Sequence, residues 1–266
     1  MEELRKLVKK LEQEYGDKKQ IEILQEIGKK LINEYEIQIG KFTIEPLLVE
    51  AYYNTKNEKK FLDCSVHATG SETANTAKLA RERQENNFGE LYVHYGTNDG
   101  IDLILSDGDY YLSFLIKNSL INGKVEMQSA VSKTLCRDCD GSEACNGGFK
   151  CKYYGEKILK KVENRKKEVV CIPRRRTKGY YSQAPLAMLA VDTFKDKEQA
   201  EVVRKSLELN FQKQCVLAKY ALDKGMANDS ICEFVKERGL YKDKISDEYI
   251  EEAEKYKEFL ITNGWK

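Results

Sequence analysis

Little net charge survives in this chain, since 45 Lys and Arg stand against 44 Asp and Glu. That balance excludes an extended basic arm or an acidic tail, although a local basic stripe can still bind phosphates. Long apolar runs are missing too. Mean hydropathy is −0.62, and no stretch approaches the roughly 18 apolar residues that crossing a bilayer requires. The opening MEELRKLVKKLEQEYG spaces Leu4, Leu7, Val8 and Leu11 as a helix does, with charges between them. It lacks the unbroken apolar core of a signal peptide, so the expectation is a cytoplasmic protein with no membrane partner. There is no internal repeat and no low-complexity linker. Histidine is the scarcest chemistry-bearing residue, with only His67 and His94 in the chain.

What is present reads as a mixed fold. With 266 residues the chain can bury a full core in one large domain or two smaller ones. Residues 2–15 and 20–36 are expected to form amphipathic helices, the second carrying Ile21, Leu24, Ile27, Leu31 and Ile32 on one face. After Gly40 the texture changes. FTIEPLLVEAYYN, GELYVHYG, GIDLILSDG and DYYLSFLI are rich in β-branched and aromatic residues and bounded by Gly, Asn and Asp, as strands joined by turns are. SETANTAKLARERQENN reads as a helix or an ordered loop, Asp107-Gly108 as a tight turn, and YYSQAPLAMLAV as a loop and strand. From about Lys197 the pattern is helical to the end. The fold class expected is α+β: a mainly antiparallel, curved sheet with flanking helices, a small cysteine-ligated metal knuckle and a helical C-terminal region. Residues 1–40 supply N-terminal helices, 41–195 the α+β domain with an insertion at 134–153, and 196–266 a helical extension.

Of eight cysteines, four crowd into CRDCDGSEACNGGFKC. Cys136 and Cys139 form a CxxC, and Cys145 and Cys151 follow at five-residue gaps, with Gly141, Gly147 and Gly148 permitting tight returns. Four thiolates so arranged suit a structural Zn2+, with no ligand position left open. An iron–sulfur (4Fe–4S) cluster uses the same ligands, and two local disulfides are the bland alternative. Cys64, Cys171, Cys215 and Cys232 are scattered and read as small buried apolar residues. Between 156 and 178 ten Lys or Arg stand against three Glu. KKVENRKK fits a solvated helix face as well as a phosphate contact, whereas the three adjacent arginines of PRRRTKG serve little packing purpose.

Both histidines lie near acidic and aromatic residues. Strand alternation puts Glu50 and Tyr52 on one face, and Tyr92 and His94 on one face. Taken singly, a strand Tyr is ordinary packing, a strand Glu points to solvent and a lone His is a satisfied core residue. Taken together, a carboxylate among flat side chains is suitable equipment for gripping a planar ring and activating a water beside it.

The order EAYY, D-x-x-x-H-A, G-x-L-Y-V-H-Y-G and a strand ending in a basic residue resembles the alkyladenine (3-methyladenine) DNA glycosylase family. The resemblance covers roughly residues 30 to 195 and includes YYSQAPLAMLAV. It implies that Glu50 is the general base that activates water, and that Tyr52, His67 and His94 wall the pocket of a flipped base. It makes Tyr95 the wedge intercalated into the duplex and Lys117 a basic residue that helps hold the water and a phosphate. Family members usually carry Tyr where His94 stands and Arg where Lys117 stands. Asp102 stands where the family has an Asn that discriminates purines. An ionised Asp only accepts hydrogen bonds, so it favours a base edge presenting donors, such as the cytosine amino group or the N1–H and N2 amino of guanine.

The function implied is a monofunctional DNA glycosylase acting on a modified or damaged base in double-stranded DNA. The chain would be nucleoid-associated if bacterial, with no organic cofactor, and would serve repair or defence against modified phage DNA. Arg174, Arg175, Arg176 and Lys178 are the expected backbone contacts. The alternative is a non-catalytic, zinc-containing nucleic-acid-binding module on the same fold. A third reading makes the cysteine cluster a redox-responsive iron–sulfur site.

Overall fold

The computed structural model describes residues 1–39, 41–55, 88–94, 100–106, 110–131, 158–172, 174 and 184–206. Two helices lead, α1 (Glu2–Gln13) and α2 (Asp17–Glu34), and nine strands follow: β1 (Tyr35–Ile39), β2 (Phe42–Thr55), β3 (Leu91–His94), β4 (Gly100–Ile104), β5 (Tyr110–Ile121), β6 (Lys124–Met127), β7 (Leu159–Lys161), β8 (Val169–Ile172) and β9 (Ala187–Ala190). A 3-10 turn (Val191–Lys195) and helix α3 (Lys197–Ser206) come next. The strands form one antiparallel sheet in the order β3-β4-β5-β2-β1-β7, with β6 beside β5 and the β8-β9 pair joined to β2 through β9. This is the α+β class. Among the described residues no helix is long and apolar enough to cross a membrane. The cysteine knuckle, the Asp107-Gly108 turn, the 71–87 segment and the chain beyond Ser206 lie outside the described residues.

Helix α1 buries Leu4, Val8 and Leu11, and α2 buries Ile21, Ile23, Leu24, Ile27, Leu31 and Ile32. These join Val49, Ala51, Tyr53, Leu112, Phe114 and Ile116 of the long central strands in the main core. A Cβ on Gly28 would land on the Met188 side chain, so glycine lets α2 approach β9 closely. The helix ends at Glu34 rather than at residue 36, and Tyr35–Ile39 is a strand paired with β2. Tyr35, Ile37 and Ile39 are buried while Gln38 is exposed, a period of two. At the β5–β6 hairpin Asn122 and Gly123 both have positive φ, 49° and 86°, as the favoured two-residue turn demands.

Over its described residues 158–172 the basic stretch is strand and extended chain rather than helix, with Lys160, Lys161 and Lys166 exposed and Arg165 and Lys167 half-buried. Arg165 pairs with Glu36 and Glu45, each at 3.2 Å, and donates to the Tyr35 carbonyl at 3.0 Å. Lys167 also pairs with Glu45, and Lys161 with Glu3 at 2.8 Å. Much of this stretch therefore ties β7 and the following segment to α1, β1 and β2.

Candidate functional site

The site lies on the sheet face opposite the main core, and an irregularity in the ladder puts it there. Near the start of β2, Ile44 pairs with Ile121, and both are buried in the core. Further along, the core-facing pairs are Val49–Ile116, Ala51–Phe114 and Tyr53–Leu112. The buried set has moved from even to odd positions on β2, because the register shifts twice between Pro46 and Val49. Lys117 of β5 is skipped opposite Leu48 and Val49, and Leu47 of β2 is skipped opposite Asn118 and Ser119. A one-residue slip turns every later side chain over. Without it Glu50 and Tyr52 would point into the hydrocarbon core. Pro46, which has no N–H to give the ladder, borders the first shift, a position where proline is tolerated in a sheet.

Beyond the irregularity, directly opposed residues form a row across five strands: Tyr92 on β3, Asp102 on β4, Leu115 on β5, Glu50 on β2 and Ala187 on β9. Opposed residues share a face, and adjacent strands lie about 4.8 Å apart, so the Glu50 and Asp102 backbones are roughly 10 Å apart across β5. The next row holds Tyr52, Ser113 and Ile104. Tyr92, Ile104 and Tyr111 form a second apolar cluster separate from the main core, with Tyr52 packed against it.

Glu50 and Asp102 are each only 3% exposed. Buried carboxylates are costly unless hydrogen-bonded or paired. Tyr52 donates its hydroxyl to Glu50 Oε2 at 2.9 Å. Burial, followed by the Glu50 charge, pushes the Tyr52 phenol well above its ordinary value; Arg174 opposes this, while the hydrogen bond to Glu50 and the Asp102 charge add to it. Tyr52 thus stays a donor across the working pH range, fixing one side of the carboxylate. Such a carboxylate offers about four acceptor sites, and this bond takes one.

Arg174 departs most from its expected place. It is 3% exposed, its Nη1 donates to the Ala51 carbonyl at 3.0 Å, and its guanidinium lies 4.7 Å from the Tyr52 ring centroid. It belongs to the wall of the site. Sequence reasoning also passed over Ser113, whose Oγ is buried beside Tyr52 and has no hydrogen-bond partner among the described residues. Ser113 could have been found from the alternation of β5, which places it two residues from Leu115 on the Glu50 face. Gln128 was missed as well. A Cβ on Gly100 would sit 3.0 Å from Leu115 Cδ1 and 3.6 Å from the Gln128 amide carbon, so the glycine leaves room for both.

The structure brings together Glu50, Tyr52, Asp102, Tyr92 and Arg174. Lys117 is half-buried in the irregularity two residues from Leu115. The His94 backbone ends β3 opposite Gly100, and its side chain lies outside what is described. His67, Tyr95, Arg175, Arg176, Lys178, Cys136, Cys139, Cys145 and Cys151 also lie outside the described residues. Among the described residues no group of three or more His, Cys, Asp or Glu could hold a metal ion. Cys171 is buried on β8. Compared with known protein families and with curated proteins, the chain matches neither a family model nor a curated sequence.

Proposed function

We propose that the chain is a monofunctional DNA glycosylase that flips a modified or damaged base from double-stranded DNA and hydrolyses its N-glycosidic bond. The observation that carries this reading is the buried Glu50 carboxylate, held by the Tyr52 hydroxyl in the same cross-strand row as Asp102. It agrees with the motif resemblance, which makes Glu50 the base and Tyr52 a pocket wall.

In the reaction Glu50 takes a proton from water as the water oxygen attacks the sugar C1′. The bond from C1′ to the base nitrogen breaks, its electron pair leaves with the base, and the base takes up a proton from solvent. Lys117 helps hold the water and the adjacent phosphate. The product is an abasic site. With water as the nucleophile no amine is joined to C1′, and the strand is left uncut. Tyr92 and Tyr52 bound the aromatic wall, joined by His67 and His94, while Tyr95 fills the gap in the duplex. Arg175, Arg176 and Lys178 contact phosphates.

Asp102 selects the substrate by accepting from a donor-bearing base edge, and the Ser113 hydroxyl, without a partner among the described residues, supplies a further polar contact. Cys136, Cys139, Cys145 and Cys151 would hold a structural Zn2+, or an iron–sulfur cluster in the same donor set. The metal supplies a folded knuckle and no step of the reaction.

The test is incubation of the protein with DNA carrying alkylated, deaminated and phage-type modified bases, with released bases identified by mass spectrometry. Release of a base with a donor edge, redirected by Asp102→Asn, supports the reading. Salt-sensitive DNA binding with no release from any substrate favours the non-catalytic binding module.

A further inference from the structure

We infer that Arg174 is a positioning residue of the Glu50 site and not a phosphate contact, an inference that rests on the glycosylase reading for its catalytic consequence alone. The arginine follows β8, whose Ile172 opposes Ala187 of β9, and Ala187 in turn opposes Glu50. The β8-β9 pair therefore delivers residue 174 to the Glu50 row. There the guanidinium does two things at once. Nη1 donates to the carbonyl of Ala51, the residue between Glu50 and Tyr52, and the guanidinium carbon lies over the Tyr52 ring.

At its other end the same ring donates its hydroxyl to Glu50. Arg174, Tyr52 and Glu50 thus form a chain in which the arginine fixes the backbone between two site residues and the tilt of the ring that orients the carboxylate. A guanidinium does both at once because its several donors and its charge are spread over one rigid group, whereas a lysine ammonium is a compact point charge. Arg174 is as buried as Glu50 and Asp102, and its guanidinium is directed to Ala51 and Tyr52, which makes it part of the wall of the site. The face of Tyr52 that Arg174 covers is closed to a flipped base.

Three measurements on full-length Arg174→Gln and Arg174→Lys test this. The salt dependence of DNA affinity, read by fluorescence anisotropy, is expected to keep its wild-type slope in both. A lost phosphate contact lowers the slope by about 0.9. The 13Cζ signal of Tyr52, assigned by its loss in Tyr52→Phe, is expected to move in Arg174→Gln and not to be restored in Arg174→Lys. Single-turnover base release is expected to fall about tenfold to a hundredfold in both variants with DNA affinity unchanged, the pattern of an interaction made in the transition state. A reduced salt slope, or a Tyr52 signal that does not move, overturns the inference. If the wild type releases no base, the glycosylase reading fails by itself, while the slope and the tyrosine signal still decide where Arg174 acts.

Discussion

Replacing Tyr52 by phenylalanine removes one oxygen and leaves the ring for Arg174 to cover. The lost interaction is the 2.9 Å bond from the phenol to Glu50 Oε2. A hydrogen bond to a charged acceptor contributes about 1.5–3 kcal/mol. Glu50 is 3% exposed, so water does not simply replace the missing donor. The phenol's own burial cost disappears with it, which brings the expected net loss to about 1–2.5 kcal/mol. A double-mutant cycle with Glu50→Gln isolates the pair, and the coupling expected is above about 1 kcal/mol. Urea unfolding at pH 7 supplies the values, with the slope on denaturant unchanged because both variants keep the same buried surface. Coupling below about 0.5 kcal/mol, the level of independent sites, would refute the claim that Tyr52 holds the carboxylate. The pH dependence gives a second check. Tyr52 has a raised folded-state pKa, so its contribution is complete below the ordinary tyrosine range and is lost as pH rises above about 10. The wild type should therefore lose stability above that pH more steeply than Tyr52→Phe.

Other expectations follow from the same structure. Burial, helped by the Glu12 charge, pushes the Tyr53 phenol to about 12. Between about pH 10 and 12 the folded state then holds a proton that the unfolded state has lost, and stability should fall by about 2–3 kcal/mol in that window. Tyr53→Phe should flatten that fall in pH-dependent urea melts, and an unchanged slope would count against it. Arg165→Met removes the arginine from Glu36 and Glu45, leaving them Gln38 and Lys167 respectively, and should cost about 1–3 kcal/mol while leaving the salt slope of DNA binding unchanged. A reduced slope would return this stretch to the DNA interface. Elemental analysis of the purified protein should find zinc at one ion per chain, lost with Cys136→Ser. A brown protein containing iron and sulfide would replace zinc by the cluster.

Much of the sheet was legible because β2 to β5 combine aromatic and β-branched residues with boundaries of Gly, Asn and Asp. β1 was not. Leu31, Ile32, Tyr35 and Ile39 keep helical spacing straight through the junction, so the local period did not reveal that residues 35–39 had changed to strand. The i, i+2 relation of Glu50 and Tyr52 was readable, and the hydrogen bond between them is its consequence. The face they occupy was not readable, since it depends on slips at Leu47 and Lys117 that only the pairing reveals. Arg174 was misleading for a similar reason. Its place is set by the carbonyl of Ala51, 123 residues away, while its neighbours in PRRRTKG give it the look of a surface residue. The acids that neutralise Arg165 and Lys167 are likewise distant in sequence, on β1 and β2.

The most direct measurement is single-turnover formation of abasic sites in base-modified duplex DNA, comparing wild type with Glu50→Gln at equal occupancy of the DNA. The expected result is abasic sites with the wild type, loss of at least about a hundredfold in the variant, and strand breakage only after alkali treatment. Abasic sites formed at the wild-type rate by Glu50→Gln would contradict the central claim that this buried carboxylate activates the water.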